Sequence, residues 1–128
     1  MPNSEHLTKL KKDIDAWNEW RAENPQVVPD LSGADLSNLD LAFANLASAN
    51  LSDAVFVLAN LRGADLRWAD LRRANLVGAR MIGVDLEEAD LSGANLSTAE
   101  DLTAEQLETT RGDASTVLPD YLAPPTTW

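Results

Sequence analysis

The sequence predicts an all-β coil in which the chain turns a corner every five residues. Three observations predict it. From Leu31 to Leu96 an apolar residue recurs at every fifth position, fourteen times in all, and only Phe56 and Met81 depart from Leu. Two residues before each of these centres stands Ala in eleven pentads, with Pro29, Leu39 and Val84 as the exceptions. The residue just before the centre is Asp or Asn in twelve pentads, with Val55 and Arg80 as the exceptions.

A period of five fits neither regular element. On an α-helix, five residues advance about 500°, so successive Leu drift around the cylinder and form no stripe. On a flat strand an odd period throws alternate Leu to opposite faces. A chain that bends at each pentad gathers every Leu on one axis. The centre and the small residue two before it then point inward, and the other three positions point out. A narrow coil holds one large side chain per side, which accounts for Ala. Asp and Asn suit the position before the centre because their short side chains bond nearby backbone at a turn.

Composition narrows the function classes. The chain has 128 residues, a mass of 13.9 kDa, no Cys, one His (His6) and a formal net charge of −11. That size fits one structural domain. Without Cys there are no disulfides, thiolate metal sites or Cys nucleophiles, and a lone His argues against a Ser-His-Asp triad or a multi-His metal centre. A chain this acidic is a poor binder of nucleic acid, because phosphates are repelled. No apolar run reaches the ~18 residues of a membrane span. The N-terminal stretch shows no apolar signal segment, so a cytoplasmic address is expected. No catalytic constellation, nucleotide loop, cofactor motif or metal motif is present, and a non-enzyme is expected.

Three segments follow in order. Residues 1–29 contain Leu7, Leu10, Ile14, Trp17 and Trp20 at spacings of three, four, three and three, which predicts one amphipathic helix over residues 5–23. Ser4 is its expected N-cap, and Asn24-Pro25 ends it. Its apolar stripe is expected to close the open end of the first coil, with the oversized Leu39 filling the gap beneath. Residues 30–100 are the repeats. Residues 101–128 break the phase: Thr103 and Gln106 read as a capping box, and a short helix is expected to about Thr110, stopped by Gly112. Beyond it Leu118, Tyr121, Leu122 and Trp128 are apolar anchors without helical spacing. This tail either folds back over the open end or pairs with a second copy, giving a monomer or a dimer.

Stretches such as Ala64-Asp65-Leu66, Ala74-Asn75-Leu76 and Ala94-Asn95-Leu96 resemble the pentapeptide repeat family, whose pattern is A-(D/N)-L-x-x. More loosely, Trp17-Asn18-Glu19-Trp20-Arg21 and the residue 102–122 tail resemble the flanks of bacterial members. The resemblance implies a right-handed quadrilateral parallel β-helix with four pentads per coil, hence about three and a half coils in a rod of roughly 17 Å. Residues twenty apart then stack. Arg73 falls beside Asp53, Arg67 beside Glu87 and Arg80 beside Glu100, which reads as cross-coil ion pairing on a solvated wall.

Arg62 and Arg72 have no acid in their columns and are candidates for a partner contact. Val55, Val57, Leu58 and Val77 form a contiguous apolar group, a candidate docking site whose alternative is cover by a terminal segment. Trp68 stands on the fourth side. The acid run Asp85, Glu87 and Glu88 reads as a solvated face. The expected function is a protein-interaction scaffold for an unidentified protein partner, with no cofactor, no membrane and no direct nucleic-acid binding. The family also implies a rival, a DNA mimic acting on a type II topoisomerase.

Overall fold

The computed structural model describes residues 1–128. Parallel bridges join Asp30 to Asn50, Asp35 to Val55, Asp40 to Asn60 and Asn45 to Asp65, and the twenty-residue step continues unbroken to Arg80 and Glu100. Four pentads therefore make each coil. Every bridge is an isolated residue pair, and no extended strand forms. The all-β expectation is corrected to that extent, for a geometric reason. Each centre opens a four-residue turn, as where Ala34 N–H donates to Leu31 C=O at 3.1 Å. Four of five residues thus lie in the turn, and although turn N–H groups also bond between coils, as Gly33 N–H does to Ser52 C=O at 2.8 Å, only the fifth residue is extended enough to form a bridge.

The turns have a rule that the pentad pattern alone did not yield. The second outward residue of all fourteen pentads lies at φ between 58° and 72°. That is the left-handed position of a type II turn, which favours Gly. Five of the chain's six glycines, Gly33, Gly63, Gly78, Gly83 and Gly93, occupy it. Twelve Asp or Asn side chains accept a hydrogen bond from the N–H two residues on, from Asp30 with Ser32 at 3.1 Å to Asn95 with Ser97 at 3.0 Å. Val55 and Arg80, which cannot, are the two departures from that position.

The core is the axis. All fourteen centres are at most 1% exposed, and the eleven Ala at most 2%. Burying one such Leu contributes about 2 kcal/mol, so the column dominates stability. Val84 is buried, and Leu39 is half-buried against the core.

The N-terminal flank forms two helices rather than one: α1, Ser4–Lys12, and α2, Ile14–Glu23. Asp13 breaks them. It is extended, with φ −164°, and its carboxylate caps α2 by accepting from Asp15 N–H at 2.9 Å. Asn3, not Ser4, caps α1, accepting from Glu5 and His6 N–H. Leu10 and Trp17 are buried on the first coil, and Leu7, Ile14 and Trp20 pack beside them.

At the other end α3, Ala104–Leu107, is shorter than the expected helix, and its Thr103–Gln106 capping box is present. Gln106 Nε2 donates to the carbonyls of Met81 and Val84, both at 2.9 Å, which seats the turn on the last coil. Bridges from Asp90 to Arg111 and from Asn95 to Val117 then step by 21 and 22 residues, so the coil is prolonged with insertions. The tail folds back. Tyr121 Oη accepts from Leu102 N–H at 3.2 Å and donates to Ala99 C=O at 3.0 Å, and Trp128 Nε1 donates to Thr110 C=O at 3.2 Å. Gly112 does not stop α3. It makes room for the Trp128 indole, which lies 2.5 Å from where a Cβ would stand.

Candidate interaction surface on the outer wall

The wall consists of bridge residues and the two outward turn residues of each pentad. Leu58 sits at φ 60° and is 61% exposed. Its side chain leans on Gly78, one coil on, where a Cβ would lie 2.7 Å from Leu58 Cδ2. Val57 and Val77 share that corner and are half-buried, joined through Leu58 N–H donating to Val77 C=O at 3.0 Å. Val55 is the half-buried bridge residue that enters it. The four candidates are therefore contiguous, and no terminal segment packs on Leu58.

The next corner carries Phe43, 61% exposed at φ 63°, lying against Gly63. Ile82, 50% exposed, lies at the same corner two coils on. Trp68 occupies the following corner, again 60% exposed at a positive φ of 63°. Three large apolar side chains thus sit in backbone that disfavours them and in water. Either feature costs free energy, the left-handed conformation about 1–2 kcal/mol per non-glycine residue. The apolar residues were legible in the sequence. Their strain was not, and the clustering of Gly at one pentad position was the available signal.

The arginines behave differently from the column arithmetic in two cases. Arg72 is not without an acid: it holds Asp70, two residues back in its own pentad, at 2.8 Å. Arg67 likewise binds Asp65 at 2.7 Å and reaches Asp85 at 3.8 Å, rather than pairing with Glu87. A side chain at the first outward position reaches back to its own bridge residue more easily than up one coil. Arg73 with Asp53 at 3.0 Å and Arg80 with Glu100 at 4.0 Å follow the expected stacking. Arg62 alone of the five makes no ion pair, and its guanidinium stands 5.8 Å from the Phe43 ring centroid.

These contacts set the wall's electrostatics. Hydrogen bonds from Arg67 and Arg72 hold the Asp65 and Asp70 carboxyls below the usual carboxylate range. The stacked pairs Asp65/Asp85 and Asp70/Asp90 each have an Arg at the lower member, which offsets repulsion between carboxylates one coil apart. No group of three or more His, Cys, Asp or Glu converges to hold a metal ion.

A four-sided coil of A-(D/N)-L-x-x pentads defines a repeat solenoid. Residues 30–63 and 59–97 match the pentapeptide repeats profile, in eight copies. The chain belongs to the pentapeptide repeat family. No functionally curated protein matches it significantly.

Solved structures of the family are similar to it. A pentapeptide repeat protein of the Arabidopsis thaliana thylakoid lumen is 26% identical, with 73% of this chain and 69% of that one aligned at a TM-score of 0.47. Rfr23 of the cyanobacterium Cyanothece 51142 is 35% identical over 66% of this chain and 60% of its own, at a TM-score of 0.33. HetL of Nostoc sp. strain PCC 7120, involved in heterocyst differentiation regulation, is 37% identical over 70% of this chain, at a TM-score of 0.37. This chain spans only 34% of HetL.

Proposed function

We propose that this pentapeptide repeat protein is a non-enzymatic scaffold whose right-handed, quadrilateral wall docks a protein partner in the cytoplasm. The observation that carries the reading is the trio Phe43, Leu58 and Trp68, each about 60% exposed and each at positive φ. Folding does not require large apolar residues there: Phe43 and Leu58 do lie over Gly63 and Gly78, but glycine serves the same turn position in five other pentads. Residues kept at a cost to folding point to binding. Val55, Val57 and Val77 extend the Leu58 corner, and Arg62 supplies an unpaired cation beside Phe43. Arg72 contributes less, because Asp70 already occupies its guanidinium.

The test is capture from the source cell with the parent and with Leu58→Gly/Trp68→Gly. The variant relieves strain, so its melting temperature is expected to hold. A protein retained by the parent and lost by the variant supports the reading. Equal retention by both sinks it.

The net charge of −11 favours the second reading, a DNA mimic acting on a type II topoisomerase. The arginines of residues 62–80 interrupt the negative field along the rod, which counts against it. Inhibition or protection of gyrase supercoiling at low micromolar protein would displace the scaffold reading.

A further inference from the structure

The N-terminal end of the coil is closed on only two of its four sides. On the Asn45 side, α2 supplies side chains where a preceding coil would supply backbone. Trp17 Nε1 donates to Asn45 C=O at 2.8 Å, Asn18 Oδ1 accepts from Asn45 N–H at 2.7 Å, and an Arg21 guanidinium nitrogen donates to Ala47 C=O. On the Asp30 side, Asn3 N–H donates to Asp30 C=O at 2.8 Å, and His6 Nδ1 accepts from Asp30 N–H at 3.0 Å.

The other two sides have the same backbone pattern with its ladder groups unpaired, and the one hydrogen bond made there by the helices is at the far end, where Asn18 Nδ2 donates to Phe43 C=O at 3.0 Å. The N–H groups of Asp35 and Asp40 have no acceptor, and the carbonyls of Asp35, Ser37, Asp40 and Ala42 have no donor. Within the coil the equivalent groups are all paired, as where Val55 N–H donates to Ala34 C=O at 2.9 Å. The open rim is therefore a ready ladder with twice as many free acceptors as donors. Both bridge side chains on it are exposed carboxylates. Lys11 and Lys12 border the hollow beside Leu39 and Asp40, yet neither comes within 4.0 Å of a carboxylate.

We infer that the rim from Asp35 to Ala42 is a docking edge for an arginine-bearing extended segment of another protein. Charge selects the occupant. Two copies of this rim would bring Asp35 and Asp40 against their equivalents, and like charges facing one another in a ladder destabilise it. A basic segment meets two carboxylates and a surplus of carbonyls. The molecule already shows the contact in miniature: Arg21 donates to Ala47 C=O, and Ser37 and Ala42 C=O are the same pentad position on the open sides. Backbone pairing with Asp35 and Asp40 supplies the affinity common to strand addition at a sheet edge, and arginine supplies the selectivity. The half-buried Leu39 offers an apolar seat for an inward side chain between them. The rim adjoins the apolar corners, since Asp35 bridges Val55 and Ala42 precedes Phe43, so the two readings are separated by variant: Leu58→Gly/Trp68→Gly leaves the rim backbone and both carboxylates in place and should spare the arginine peptide.

The experiment uses the full ¹⁵N-labelled chain with the probe peptide acetyl-Val-Arg-Val-Arg-Val-amide, and with acetyl-Val-Glu-Val-Glu-Val-amide as its opposite. The arginine peptide is expected to shift the Asp35 and Asp40 amide resonances and slow their hydrogen exchange. The glutamate peptide is expected to do neither. Asp35→Asn/Asp40→Asn keeps the turns, because Asn fills the same position at Asn45, Asn50 and Asn60. It should weaken the arginine peptide by about fivefold or more, the loss expected for two exposed charge pairs. Shifts confined to other residues, equal binding of the glutamate peptide, or unchanged affinity in the double variant would each overturn the assignment. So would a peptide-free dimer that depends on this rim in sedimentation.

Discussion

Trp17 Nε1 donates to the carbonyl of Asn45 at 2.8 Å, so an indole on a helix stands where backbone of another coil would pair. Trp17 is also fully buried against the first coil. The residue therefore does two separable things, and two substitutions separate them. Trp17→Phe keeps most of the packing and orphans the Asn45 carbonyl, at an expected cost of about 1–2 kcal/mol. Trp17→Ala also opens a cavity and should cost about 3–5 kcal/mol. Urea denaturation measures both. Equal losses for the two variants would mean that the buried ring adds nothing beyond its hydrogen bond, and a parent-like Trp17→Phe would mean that the hydrogen bond contributes nothing.

The turn rule predicts opposite signs at two pentads. Gly33 sits at φ 67°, and a Cβ there meets no atom within 4 Å. Gly33→Ala thus reports backbone strain alone and should destabilise by about 1–2 kcal/mol. Ser48 is exposed at φ 60°, and Ser48→Gly relieves that strain against the greater freedom of the unfolded glycine chain. A net gain of about 0.5 kcal/mol is expected. Calorimetry that finds Ser48→Gly less stable than Gly33→Ala would contradict the rule.

The inward assignment is tested at Leu66, which is fully buried. Leu66→Asp places a charge on the axis with no partner and should abolish the cooperative fold. Ser92→Asp changes an outward residue of the same coil system and should shift stability by less than about 0.5 kcal/mol. Far-ultraviolet circular dichroism on melting distinguishes them. A parent-like melt for Leu66→Asp would leave the leucine column without its role.

Side-chain periodicity made the axis legible: an apolar residue every fifth position has one way to be buried, and Leu31 through Leu96 all obey it. The Asx bonds were legible for the same reason, since Asp and Asn at one fixed place need one fixed partner. What escaped was set by geometry that no single pentad encodes. Asp13 splits the N-terminal helix because a side chain that caps one helix can end another, while the apolar stripe runs on across the break. Arg72 found Asp70 because reach within a turn competes with stacking between coils, and only the folded geometry ranks the two. The strain at Phe43, Leu58 and Trp68 was hidden because Gly, Asn, Ser and large apolar residues alternate at that position.

The paired carboxylates give the stability a direction with pH. Hydrogen bonds from Arg67 and Arg72 depress the Asp65 and Asp70 carboxyls in the folded chain. A depressed folded value means that the unfolded chain binds protons first as pH falls. The stabilisation is therefore present above the unfolded value of about 3.9 and lost as pH drops through the lower folded values. Unfolding free energy should be flat near neutrality and decline below about pH 4. The guanidinium groups of Arg67 and Arg72 are half-exposed, so solvent screens both pairs. Asp65→Asn/Asp70→Asn should accordingly cost less than about 1 kcal/mol at pH 7. The amides still accept from the Arg67 and Arg72 N–H groups, so the turns persist. The double variant should show a shallower acid decline than the parent, with Asp30, Asp35, Asp53 and Asp113 retaining the rest. Denaturation series from pH 7 to pH 2 measure both slopes, and identical slopes would show that these two pairs do not couple protonation to folding.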